Sequence, residues 1–307
     1  MQLMDKLESV KVFVAVARAG GFSAASRELG QPIATISRKV ADLEAALGVR
    51  LFERSTRRVT LTDNAVAYFE ACQRLLDDMR DADATVVGEH RSPKGELTIT
   101  APTGFGRQHV QPVAAEFLKA YPEVDLRLLL TDRVIGLIDE HADLAVRIKP
   151  LSDSGLVARP LGQIKLVVCA SPGYLEAKGT PTHPTELLEL HQCVTWTSLG
   201  PFKAWSFKID GSDIMVPIRT RVTTTTPDSV MDAAIAGLGL AQMTSYLAEA
   251  AVRAGTLVPV LRDFEETPTP VSFVHPSNRR VPQKLRAFID FAAPRLADRL
   301  QRVNELF

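Results

Sequence analysis

The sequence predicts an α/β chain that carries a small helical module in front of its sheets. Three observations predict this. Apolar residues recur at helical spacing through residues 7–47, punctuated by Gly20-Gly21, Gly30 and Gly48. A stretch without glycine or proline then runs from 63 to 87. From Leu97 onward, short β-branched runs alternate with helical patterns, the signature of a mostly parallel sheet.

Composition bounds the answer. At 307 residues the chain has room for two domains or a little more. Hydrophobic residues at 46% and charged residues at 23% exclude wholesale disorder and collagen-like repeats. Lys+Arg and Asp+Glu are both 36, so the net charge is zero and a uniformly basic nucleic-acid coat is excluded. Three scattered cysteines, Cys72, Cys169 and Cys193, do not make a disulfide framework and fit a reducing compartment. Lys6, Glu8 and Lys11 interrupt the N-terminus, unlike a signal peptide. No run approaches the roughly 18–20 apolar residues that span a bilayer. A cytoplasmic, soluble protein with no membrane partner is expected.

In residues 1–62, Leu7, Val10, Phe13, Val14 and Ala17 mark the first helix, and Gly20-Gly21 stops it. Ser23 is a good N-cap for a short helix, Ala24 to Leu29. Pro32 can start the next, which runs to about Leu47 with Ile33, Ile36, Val40, Leu43 and Leu47 on one face. A helix followed by two helices across a tight glycine turn is a helix-turn-helix. Leu51-Phe52 and Val59 to Leu61 then flank a polar turn, as a two-stranded wing would. Ten cations against six anions make the segment +4, and six of the ten lie between Arg38 and Arg58. That is a local basic footprint suited to a nucleic acid.

Residues 63–90 carry two arginines and seven acids. Phe69, Cys72, Leu76 and Met79 fall on heptad spacing, which predicts a linker helix pairing two chains in a homodimer or homotetramer. Packing of this helix on its own domain is the competing reading.

From residue 91 the expected elements are strands at 97–101, 124–130 and 144–148, with helices at 108–119 and 134–140. A second α/β pattern starts at Lys165. It takes in 172–175, 193–196, 214–225, 229–236 and 239–243. A strand at 271–274 and a helix from Pro282 to about Leu300 close the chain. This gives lobe I as 91–162 with 268–307 and lobe II as 163–267.

The string from Phe22 to Thr62, FSAASRELGQPIATISRKVADLEAALGVRLFERSTRRVTLT, resembles the DNA-binding module of the LysR-type transcriptional regulators. Tyr121-Pro122, Asp143 to Ile148, Ser171 to Leu175, Ala236 to Gly239 and Phe288 to Phe291 resemble the effector half of the same family. The chain departs from the family at Pro32-Ile33, where a Ser-Gln pair is common, and at Asn64-Ala65, where Ala-Gly is common. The resemblance implies an N-terminal winged helix-turn-helix, a linker helix and a two-lobed periplasmic-binding-protein-like effector domain. It also implies a transcriptional regulator with double-stranded DNA and a small-molecule effector as partners.

On the recognition helix, Ala34, Thr35, Ser37, Arg38 and Lys39 are the candidates for DNA contact. Arg38 suits guanine, and the Thr35 methyl suits thymine. Ser23, Arg27, Arg54 and Arg57 are placed for phosphates. In the resembled family the effector lies between the lobes, so strand ends and helix starts facing that cleft are its candidates. They are Pro102, Thr103, Thr131, Arg147, Trp196, Thr197, Thr226 and Asp228, and they suit an anion. Arg147 has two open readings, ligand contact or structural ion pair. No cofactor or metal is expected, since the six histidines show no ligand spacing. Gly237-Leu238-Gly239 reads as close packing rather than a dinucleotide loop. A transporter's solute-binding protein would share the lobes but not the helix-turn-helix. An enzyme would need catalytic residues, and no such motif occurs.

Overall fold

A computed structural model describes residues 3–54, 59–87, 92–133, 142–149, 155–196, 204–276 and 281–307. The chain divides into two compact units, Met1–Arg91 and Ser92–Phe307.

The first unit holds α1 (Leu3–Ala19), α2 (Phe22–Leu29), α3 (Ile33–Leu47), β1 (Phe52–Arg54), β2 (Val59–Leu61) and α4 (Asp63–Val87). Helix α1 is the hub because Val10, Val12, Phe13, Val14, Ala15 and Val16 are all buried. A helix apolar on so much of its circumference must be covered on several sides. Ile36, Val40 and Leu43 of α3 cover one of them. Phe13 meets Phe52 at 5.4 Å and Tyr68 at 5.6 Å between ring centroids. Its complete burial contributes about 1.5–3 kcal/mol.

That demand for cover corrects the heptad seam. Cys72 and Leu76 are buried in the core of their own chain, and Phe69 packs against that core, edge-on to Phe13. Met79 remains exposed, together with Ala67, Ala71 and Leu75 at four-residue spacing along α4. The periodicity was real, but its stripe satisfies α1.

In the second unit, β3 (Gly95–Ala101) leads into a continuous helical stretch. This comprises α5 (Thr103–Phe105), a π turn at Gly106–Val110 and α6 (Gln111–Ala120). The helix thus starts five residues earlier than the expected 108. Strands β4 (Val124–Leu130), β5 (Leu144–Ile148) and β6 (Leu156–Ile164) follow, and the expected helix at 134–140 lies outside the described residues. Then come β7 (Leu166–Ala170), α7 (Pro172–Lys178), α8 (Glu186–Glu189), β8 (Cys193–Trp196), β9 (Ala204–Ile209), β10 (Ser212–Pro217) and β11 (Thr220–Thr224). The chain continues with α9 (Pro227–Ile235), β12 (Leu240–Thr244), α10 (Ser245–Arg253), β13 (Val258–Val260), β14 (Thr269–Pro276) and α11 (Gln283–Asn304).

These strands form two five-stranded sheets, β4-β3-β5-β14-β6 in lobe I and β11-β8-β12-β7-β13 in lobe II. In each, four strands run one way, and the fifth, β14 or β7, runs against them next to one edge. Strands β9 and β10 pair separately as a hairpin, so the expected run 214–225 is really two strands.

The chain crosses between lobes twice, at Lys165 and again between Leu261 and Thr269. The two crossings are tied together: Lys165 Nζ lies 3.3 Å from Glu265 Oε2. Ser245 pins Lys165 further by donating its N–H to the Lys165 carbonyl at 2.8 Å and accepting the Lys165 N–H on Oγ at 3.2 Å. Among the described residues, no helix is long and apolar enough to cross a membrane.

Candidate functional site

The helix-turn-helix is shaped by its two glycine caps. Gly30 ends α2 at φ 62° and Gly48 ends α3 at φ 71°, left-handed values that favour glycine. Ser26 Oγ donates to the Gln31 carbonyl at 2.6 Å and braces the turn. The start of α2 differs from expectation. It begins at Phe22 with Gly21 in the cap position, so Ser23 is a first-turn residue exposed to solvent.

On α3, Ala34 and Arg38 are exposed, while Thr35 and Ser37 are half-buried. Ile33, expected on the inner face, is instead 48% exposed at the start of the helix, beyond the reach of α1. Lys39 is half-buried, with Nζ 3.6 Å from Glu8 Oε2 of the first helix. Arg27 is exposed on α2. The wing is held by Glu44, whose Oε1 accepts the N–H groups of Leu51 at 2.8 Å and Phe52 at 3.2 Å. Arg54 closes β1, and Arg57 lies outside the described residues. Glu44 was a family match without an assigned task, and its reach across seven residues has no sequence signal.

The second feature is a cavity of about 280 Å³ between the two lobes of residues 92–307. Pro102, Thr131, Arg147 and Trp196, four of the expected effector contacts, line it. Three others do not. Thr103, between the lining residues Pro102 and Gly104, gives its backbone N–H to Asp132 Oδ1 at 3.0 Å. Thr226 Oγ1 is 2.8 Å from Ser229 Oγ, inside its own helix start. Asp228 forms an ion pair with Arg107 of the π turn, which ties lobe II to lobe I. Thr197 lies outside the described residues.

Sequence reasoning missed Arg133, Lys149 and Tyr246, which also line the cavity. Arg133 and Lys149 sit a residue or two beyond residues already picked at strand ends. Tyr246 lies on α10, which follows β12 without a break and gave no separate helical signal.

Behind this wall the π turn buries His109. Its ring stacks on Phe105 at 5.0 Å and meets Tyr246 edge-on at 5.6 Å. Neither ring nitrogen has a hydrogen-bond partner among the described residues. Burial holds the imidazole neutral, with its pKa lowered to about 4. A Cβ at Gly106 would overlap the Leu130 side chain and crowd Ala101 Cβ at 3.2 Å.

Burial pushes the Cys72 thiol up, and those of Cys169 and Cys193 up to about 12, so none supplies a thiolate near neutral pH. No group of His, Cys, Asp and Glu among the described residues could hold a metal ion. At Gly239 a Cβ would lie 2.5 Å from the Gln192 carbonyl oxygen. Gly239 therefore serves close backbone packing, while Gly237 takes a left-handed φ of 75°.

Comparison with known proteins agrees with both halves of this architecture. Residues 7–66 match the bacterial regulatory helix-turn-helix protein, lysR family, and residues 90–297 match the LysR substrate binding domain. An HTH-type transcriptional regulator of Xanthomonas campestris pv. campestris is 36% identical over 295 residues, covering 94% of this chain and 85% of that one. CrgA of Neisseria meningitidis is 33% identical over 294 residues, covering 95% and 98%. The CrgA structure aligns with a TM-score of 0.61 at 32% identity, again over 95% and 98%. Full-length AphB, a Vibrio cholerae virulence activator, gives 0.59 at 29% identity over 95% and 98%. The chain belongs to the LysR family, DNA-binding transcriptional regulators built from a helix-turn-helix and an effector-binding domain rather than enzymes.

Proposed function

We propose that this regulator reads DNA through the outward face of α3 and is governed by a small anionic effector in the cavity between its lobes. Arg38 reads base edges beside Ala34, Thr35 and Ser37. Ser23, Arg27, Arg54 and Arg57 hold phosphates. Pro102, Thr131, Arg147 and Trp196 form part of the effector wall. The observation that carries the reading is a cavity with walls from both lobes, in a chain whose helix-turn-helix keeps one face of α3 uncovered. A ligand touching both lobes has contacts that change when they rotate, so it shifts the balance between two arrangements.

The working form is a homodimer or homotetramer in the cytoplasm. Its pairing face is the exposed stripe Ala71, Leu75 and Met79 of α4, not Cys72 and Leu76. Two recognition helices then meet a roughly palindromic site.

The test is binding to cognate and random DNA across a salt series. Arg38→Ala should lose about 1–3 kcal/mol on cognate DNA only. Arg27→Ala should weaken both and lower the salt slope by about 1. Equal losses for Arg38→Ala on both DNAs would remove it from base reading.

A further inference from the structure

The cavity is chemically one-sided. Among its described lining residues, every charged side chain comes from lobe I. These are Asp132 and Arg133 just after β4, Arg147 in β5 and Lys149 just after it. The described lobe II lining contributes no charge. Its wall is built chiefly from Leu166, Trp196, Val230, Met243, Tyr246 and Leu247. Among the described lining residues Asp132 is the one anion and accepts the Thr103 N–H, against the three cations Arg133, Arg147 and Lys149.

Such a pair of walls selects its occupant. A molecule polar all over would press unpaired groups against lobe II, which costs free energy for each group desolvated. A molecule apolar all over would strip water from the exposed cations Arg133 and Lys149 without replacing it. Only a two-sided ligand satisfies both walls. We propose that the effector is an amphipathic monocarboxylate, with its acid head held by lobe I and its apolar body lying against lobe II. A planar guanidinium such as that of Arg133 suits a carboxylate, and Lys149 adds a second positive charge. The volume, at the small end for ligand sites, limits the body to one ring or a short chain. This rests on the cavity being the effector site.

The asymmetry divides the work of the ligand. The head can dock on lobe I in any arrangement of the lobes. The body meets lobe II only when they close on it, so the apolar part drives the response. Short hydrophilic acids should therefore occupy the site weakly and change nothing.

The test titrates the full-length protein calorimetrically with 3-phenylpropionate, benzoate and hexanoate. Each is compared with its own amide and with a diacid of matching length. At least one monocarboxylate should bind about ten-fold or more tighter than both counterparts. Lys149→Gln should narrow the acid–amide gap, and Trp196→Gln the gap between monoacid and diacid. Both side chains are at least partly exposed, so the variants should keep the unliganded melting temperature. Binding confined to amides or diacids, or no monocarboxylate binding at all, overturns the amphipathic assignment and leaves the cavity reading in place. Monocarboxylate binding that neither variant alters puts the ligand elsewhere and overturns the cavity reading itself.

Discussion

The DNA-reading unit and the effector unit hold their functional residues in opposite ways. In the first, two consecutive helices and the turns at their ends carry nearly everything, from Ser23 to the wing at Leu61. In the second, the cavity draws on the ends of β4, β5 and β8 and on β7, β12, α9 and α10. A contiguous motif keeps its geometry through local caps and turns. An assembled wall keeps it only while distant backbone segments stay packed. Damage to packing should therefore disable the two units by different routes.

The largest expected effect is Gly239→Ala. A Cβ there meets the Gln192 carbonyl, which is backbone and cannot swing aside. The effector unit should lose about 3 kcal/mol and its ligand binding together. A calorimetric scan should show its transition falling while that of residues 1–91 holds. A shared fall would break the contrast between the units.

Acid should act next. The unfolded chain protonates His109 near its ordinary value of about 6.5, whereas the folded chain refuses the proton until about 4. The unfolded state therefore binds more protons between these values, and stability falls as pH drops through them, by up to about 3 kcal/mol. His109→Phe, which keeps a ring on Phe105, should flatten that limb. Urea unfolding at pH 7 and pH 4.5 measures it, and an unchanged acid limb in the variant would clear His109.

Glu44→Ala probes the local unit. Losing an acceptor shared by two wing N–H groups should cost about 2 kcal/mol. It should weaken DNA binding without moving effector affinity. A gel-shift assay with parallel calorimetry separates the two readouts.

The smallest effect is expected for Asp228→Asn. The Arg107–Asp228 pair is partly exposed, so its contribution to stability should stay below about 1 kcal/mol. Because it joins the lobes, the variant should still change effector affinity measurably. No change there would mean that the pair does not bias lobe closure.

The sequence was most legible where structure is local. Gly30, Gly48 and the apolar period of α3 specify the helix-turn-helix almost without tertiary help. It was least legible where burial depends on a partner. The stripe Phe69, Cys72, Leu76 was visible, but only the bulk of apolar surface on α1 decides that it turns inward. Strand β6 escaped notice because Pro160 and Gly162 look like a break. As an edge strand beside β14 it tolerates both, with a register shift between Val271 and Ser272. In the cavity, Trp196 and Arg147 were found by the logic of strand ends. Arg133 and Lys149 needed only that logic carried two residues further, and Tyr246 needed α10.

The late arrival of β14 has a consequence for synthesis on the ribosome. Strands β5 and β6 do not pair with each other, since β14 lies between them. Lobe I therefore stays incomplete until all of lobe II has been made. At about 5–20 residues per second, translating the roughly hundred residues from Ile164 to Thr269 takes about 5–20 seconds. Throughout that interval the nascent chain carries two open strand edges, a template for association with neighbouring chains. Pro160, which cannot donate to a ladder, blunts one of them while the chain waits.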